Sequence, residues 1–161
     1  MLIRAATEAD RDAIVALHLA SWQSSYGIVL PARVLSDVLP DYLAAKWAPR
    51  GFGPDQPTLV AEAGGELLGF VCALRDVVPP LIDNLHVHPT GRGRGTGAQL
   101  LAAINKALAA RGAAASTLTV LEANTRAIAF YRAQGGRDAG PEDDRLVGHP
   151  VKVRRFLFDL A

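Results

Sequence analysis

The stretch Leu81-Ile82-Asp83-Asn84-Leu85-His86-Val87-His88-Pro89-Thr90-Gly91-Arg92-Gly93-Arg94-Gly95-Thr96-Gly97-Ala98-Gln99-Leu100-Leu101 reads as a strand, a glycine-rich turn and the start of an amphipathic helix. Glycines let a backbone approach a ligand closely and converge its N–H groups, while the following helix end adds positive partial charge. Arg92 and Arg94 add two formal charges, so the segment predicts an anion site with phosphate as the fitting ligand. A P-loop is excluded because Gly-Lys-Ser/Thr is missing. Gly93, Gly95 and Ala98 satisfy the looser dinucleotide spacing. That reading is weakened by a loop that follows a hairpin in mid-chain, with no acidic residue ending the next strand candidate about 20 residues on.

Downstream of this segment, Leu100, Leu101, Ile104 and Leu108 form the buried stripe of one helix, which Arg111-Gly112 stops. Thr117 to Leu121 is a β-branched strand, and a helix from about Asn124 to Ala133 ends near Gly135-Gly136. The polar run Arg137 to Gly148 reads as a loop, and Val151 to Leu160 as the last strand. Upstream, Thr58 to Ala63 and Leu67 to Leu74 read as strands joined by a tight hairpin at Gly64-Gly65. Further back, Leu2 to Ala5 is a short strand, after which Thr7 caps a helix with Asp10 at its third position. Ile14, Leu17, His18, Ser21 and Trp22 recur along that helix at helical spacing. Pro31 opens a second helix to Leu39, and Asp41 caps a third that carries Tyr42, Leu43 and Trp47. This order predicts a mixed α/β sheet flanked by helices.

The segment Arg92-Gly93-Arg94-Gly95-Thr96-Gly97 resembles the acetyl-CoA signature Arg/Gln-x-x-Gly-x-Gly/Ala of the GNAT superfamily of N-acetyltransferases. Asn124-Thr125-Arg126-Ala127-Ile128-Ala129-Phe130-Tyr131-Arg132-Ala133-Gln134-Gly135-Gly136 is similar to the family's second cofactor motif, with Gly136 in place of its final Phe. The resemblance covers nearly the whole chain. It implies a mostly antiparallel sheet with a splayed central strand pair, and transfer of acetyl to a primary amine by direct attack in a ternary complex.

The same resemblance implies roles for particular residues. Backbone groups of Leu85, His86 and Val87 would hold the thioester, and Arg92, Gly93, Arg94, Gly95, Thr96 and Gly97 the pyrophosphate. Asn124 would bond the pantetheine arm, with helix N-capping as its alternative, and Tyr131 would be the general acid, with a core tyrosine as its alternative. His86 and Asp83 are the candidates for general base, each with a structural role as the alternative. Period-two alternation puts Asp83 with Leu85 and Val87 on one face, and Asn84, His86 and His88 on the other. His18, Trp22, Tyr26 and Asn84 are the expected substrate pocket, with a core stripe as the alternative for the first three, and the acidic loop residues Glu142, Asp143 and Asp144 either attract a cationic amine or form a solvated loop. A protein of this fold that binds CoA without turnover is the second reading.

Composition bounds the rest. The 161 residues suit one domain over 1–161, and half of them are hydrophobic, so a core is expected. Seventeen Lys and Arg against 16 Asp and Glu imply no general affinity for nucleic acid or anionic membrane. The lone Cys72 makes no internal disulfide, and no Cys and His spacing matches a metal site. The N-terminus turns polar at Thr7-Glu8-Ala9-Asp10, and no apolar run reaches the roughly 18 residues of a membrane span, so a cytoplasmic protein is expected. The expected partner is a small-molecule or peptide amine, and a homodimer is the assembly common among similar proteins.

Overall fold

Alternating side chains and one tight turn organise the centre of the chain. The computed structural model describes residues 1–160. Strands β2 (Thr58–Ala63) and β3 (Glu66–Leu74) pair across Gly64 and Gly65, whose φ angles of 59° and 80° suit the left-handed positions of a two-residue hairpin. Val60, Phe70 and Cys72 then face one side of the sheet, and Ala61, Val71 and Ala73 the other.

With β1 (Leu2–Ala5), β4 (Leu81–Val87), β5 (Ala115–Leu121), β6 (Arg137–Leu146) and β7 (His149–Asp159), the sheet has seven strands in the order β1-β2-β3-β4-β5-β7-β6. Every adjacent pair is antiparallel except β4 and β5. Helices α1 (Arg11–Ser25) and α2 (Leu39–Trp47) cover one face, where Ile14, Leu17 and Trp47 pack on Val60, Phe70 and Cys72. On the other face lie α3 (Thr96–Ala110) and α4 (Thr125–Ala133), with Leu100, Leu101, Ile104, Leu108 and Ile128 against Val71, Ile82, Leu118 and Phe156. The buried residues of α1 are Ile14, Leu17, His18, Ser21 and Trp22, the face that its spacing predicts. Among the described residues, no helix is long and apolar enough to cross a membrane.

Two sequence expectations are corrected. Residues 137–148 do not form a loop: Arg137 to Leu146 is edge strand β6, paired with β7 around the turn at Val147 and Gly148. Most of β6 is solvent-exposed, so it carries no apolar alternation. Its register is marked by cross-strand ion pairs instead, with Asp143 on Lys152, Glu142 on Arg155 and Asp138 on Arg154. Pro141 is tolerated at the edge beside a bulge. Nor is there a break between Leu39 and Asp41. A π-helical segment, Val34–Val38, runs directly into α2, and the wider turn accommodates Pro40, which lacks the N–H an α-helix would require there.

Candidate active site

β4 and β5 run parallel but share a single residue pair, Leu81 with Thr117, supported by the Thr117 amide donating to Pro80 O at 3.0 Å. Beyond that pair the strands separate, and a cavity of about 850 Å³ opens between them. On its other edge β4 stays paired with β3, and the His88 amide donates to Leu68 O at 2.8 Å. Main-chain groups of successive strand residues point to opposite neighbours. The amides of His88, His86 and Asn84 therefore turn towards β3, leaving those of Leu85 and Val87 towards the gap.

The glycine-rich loop closes one end of the cleft. Gly93 and Gly95 adopt φ of 80° and 77°, a region where other side chains are strained. Gly95 is the N-cap of α3 and carries no side chain, so the first-turn amides have no side-chain cap. A Cβ on Gly97 would sit 3.4 Å from Phe130 and 3.6 Å from Val87, which shows how closely α3 starts against β4 and α4. Arg92 donates to Ser24 Oγ at 2.9 Å and Ser25 Oγ at 3.1 Å, tying the loop to the end of α1. Burial and the neighbouring Arg126 lower its pKa, an electropositive crowding that favours an anion. Bare helix amides, left-handed glycines and two converging guanidiniums fit a diphosphate. Thr96 is buried and donates to Met1 Sδ at 3.4 Å, whereas Arg94 is exposed and lies outside the cleft lining.

Tyr131 of α4 lines the cleft, and no protein group among the described residues bonds its hydroxyl. Burial, with Tyr26 nearby, pushes the phenol well above its ordinary range, so it stays protonated. Asn124 caps α4, its Oδ1 accepting from the Ala127 amide at 3.1 Å, which leaves its Nδ2 as the free donor.

His86 is held from α1. Its Nε2 accepts from Trp22 Nε1 at 3.3 Å, so Nδ1 carries the proton and donates to Ser21 Oγ at 3.0 Å. Burial first, then Arg92 and Lys46, pushes its pKa down to about 3. His18 stacks on it with centroids 4.5 Å apart and accepts from Trp47 Nε1 at 2.9 Å. With no exposed surface, His18 lies behind the cleft wall and does not line it. Trp22, Tyr26 and Asn84 do line it. His88 caps the short turn at Pro89–Gly91 through Thr90.

The alternation expected along β4 fails at one residue. Ala73 pairs with Ile82 and Cys72 with Asn84, which makes Asp83 the extra residue of a β-bulge. The bulge turns its carboxylate to the α1 and α2 face, away from Leu85 and Val87. There it accepts from Arg50 at 2.6 and 3.0 Å and from Cys72 Sγ at 3.3 Å.

Lys46, Arg50, Tyr42, Arg126 and the three serines of α1 carry no site role in the sequence reading, although Tyr42, Ser21 and Arg126 fall within its helices. Arg126 had a legible signal, being a cation in the first turn of a helix beside the glycine loop. Arg50 had none, because its partner is set by a bulge.

The sequence profile of the Acetyltransferase (GNAT) family matches residues 14–135. No protein of curated function matches significantly. A GCN5-related N-acetyltransferase from Rhodopseudomonas palustris superposes with a TM-score of 0.76 at 23% identity, over 98% of this chain and 94% of that one. PaiA N-acetyltransferase from Thermoplasma acidophilum, solved with coenzyme A, gives 0.73 at 17% identity over 95% and 96%. YncA from Salmonella typhimurium, solved with acetyl-CoA, gives 0.73 at 20% identity over 100% and 94%. These structures share the fold, and the family profile spans more than half of the sequence: the chain belongs to the GNAT family of acetyltransferases.

Proposed function

We propose that this protein transfers an acetyl group from acetyl-CoA to a primary amine by direct attack within a ternary complex. Two structural neighbours are complexes with CoA or acetyl-CoA, and the loop's chemistry suits the pyrophosphate of that cofactor. Bound acetyl-CoA would supply an acyl group activated as a thioester. Arg92, Arg126 and the amides from Gly93 to Gly97 hold the diphosphate, and the Nδ2 of Asn124 donates to the pantetheine arm. The gap-facing amides of Leu85 and Val87 stabilise negative charge on a carbonyl oxygen, a contribution of roughly 3–4 kcal/mol per donor in other enzymes.

Tyr131 carries this reading: a phenol kept protonated by burial, without a protein partner, in the same cleft as the loop and the unpaired strand edge. It gives its proton to the leaving sulfur. His86 does not take the amine's proton, because a ring held near 3 is too weak a base at neutral pH. It is a positioning residue that anchors β4 to α1. Asp83 is engaged by Arg50, and the proton leaves through water at the cleft mouth.

The test is thiol release from acetyl-CoA across a panel of primary amines, with product identified by mass. Amine-dependent release with an acetylated product is the expected result. CoA binding without turnover of any amine would favour the silent cofactor-binding module instead.

A further inference from the structure

At its α1 and α2 end the cleft is lined by Trp22, Tyr26 and Tyr42. Leu146 and Val147, at the β6–β7 turn, pack on the cluster built from Trp22, Leu30, Leu39 and Leu43, so the hairpin roofs this end. Two cations line it, Lys46 from α2 and Arg145 from the hairpin. Among the described residues neither pairs with a carboxylate. Arg145 donates to Gly148 O at 3.0 Å, and the Lys46 ammonium lies 6.0 Å from the Tyr42 ring centroid.

Three of the neighbouring acids are paired with cations. Asp83 is held by Arg50, Glu142 by Arg155 and Asp143 by Lys152. Asp144, exposed on the hairpin and itself lining the cleft, forms no ion pair among the described residues and accepts from the Arg145 amide at 2.7 Å. Lys46 and Arg145 therefore outnumber the one unpaired carboxylate beside them, Asp144, and the acceptor end keeps net positive charge.

We propose that the acceptor is a small amine bearing its own anionic group, of the 2-aminocarboxylate or aminophosphonate class, whose anion is bound by Lys46 and Arg145. This rests on the cleft being an acetyl-transfer site and names its substrate class. A charge-assisted bond from Lys46 or Arg145 orients the anion, and the aromatic walls receive an apolar body. The positive field also favours the neutral, nucleophilic form of the amine, which suits a site whose only histidine is a weak base. Polyamines and lysine side chains meet repulsion at the same place.

Matched substrates test this with wild type, Lys46→Ala, Lys46→Arg and Lys46→Glu. Phenylalanine is compared with phenylethylamine, leucine with isopentylamine and 2-aminoethylphosphonate with ethylamine, and putrescine represents the cationic class. The anionic member of at least one pair should be favoured in kcat/KM by about tenfold or more. Lys46→Ala should remove that preference through KM, Lys46→Arg should retain it, and Lys46→Glu should invert it. Preference for putrescine, or a ratio unmoved by Lys46→Glu, overturns the proposal. Calorimetry of the same acceptors into CoA-saturated protein separates the two claims. Binding of the anionic series that depends on Lys46 but yields no product upholds the anion site and defeats catalysis. Turnover confined to cationic or neutral amines does the reverse, and neither binding nor turnover of the anionic series defeats the anion site.

Discussion

Leu81 of β4 and Thr117 of β5 form the single residue pair between these two parallel strands, and the separation beyond it opens the cleft. A sheet interior is normally closed by its ladder, and buried amides left without partners are costly. Here the cost falls on Leu85 and Val87, whose amides face a cavity that is also lined by the start of α3 and by Tyr131. Function depends on which groups fill the gap.

Replacing Tyr131 by Phe should lower kcat by about 10²–10⁴-fold, the usual contribution of a general acid. CoA affinity should be unchanged, because the ring keeps its packing on the core beside Phe156. Burial holds the phenol above its ordinary range, so wild-type kcat should show no alkaline fall attributable to this group up to about pH 10. Steady-state thiol release across pH, with calorimetry of CoA, measures both.

Acid should destabilise the protein through His18 and His86. Burial is the leading cause that lowers both pKa values, His86 to about 3 and His18 lower still. An unfolded histidine binds a proton below about 6.5. Between about 6.5 and 3 the unfolded state therefore holds more protons than the folded one, and stability falls as pH drops, by about 1.4 kcal/mol per unit for each ring. Stability from this source is fully present above pH 6.5. Urea unfolding from pH 8 to pH 4.5 should show the slope, and neither ring should titrate by NMR in the folded state over that range. A titrating ring with a midpoint near 6.5 would contradict the burial argument.

Gly136 stands where the family's motif has Phe, and the space explains it. A Cβ there would lie 2.9 Å from both Tyr131 O and Phe158 Cζ, and 3.1 Å from Phe156 Cδ1. Gly136→Ala should cost about 1–3 kcal/mol as an overpacked site. Gly69→Ala should do the same, since its Cβ would meet His86 O and Leu100 Cδ1 at 2.9 Å each. Thermal unfolding checks both, with Gly112→Ala, in open space but at φ 94°, as a comparison for backbone strain alone.

Arg50 and Asp83 form an ion pair with side chains only 9% and 15% exposed. Arg50→Ala leaves that carboxylate without its cation and should destabilise by about 3 kcal/mol. The double variant Arg50→Met with Asp83→Leu should lie within about 1 kcal/mol of wild type, because two desolvated charges are removed together. Chemical denaturation of Arg50→Ala, of the double variant and of its single variants Arg50→Met and Asp83→Leu, the last three combined with wild type in a double-mutant cycle, decides it.

Much of this was legible in the sequence wherever one local signal determined the outcome. The helical spacing of Ile14, Leu17, His18, Ser21 and Trp22, the Gly64-Gly65 turn and the bounds of β4 needed no tertiary information. What escaped was set by partners distant in sequence. β6 shows no apolar alternation because it is a charged edge, and it becomes a strand only against Lys152, Arg154 and Arg155 of β7. Asp83 changes face because a bulge opposite Cys72 and Ala73 adds one residue to β4. His18 carried the right spacing for a pocket wall yet lies beneath His86, since spacing gives the face of a helix but not the depth at which it packs.

Titration of coenzyme A into the protein, followed by calorimetry and by backbone amide shifts, tests the central claim most directly. One site with a Kd between about 1 μM and 1 mM is expected, with the largest shifts at Gly93, Gly95, Thr96, Gly97, Leu85 and Val87. Affinity should fall about tenfold or more in Arg92→Ala and in Arg126→Ala, each of which removes a charge-assisted contact. Absence of binding, or shifts confined to residues outside the cleft between β4 and β5, would contradict the account.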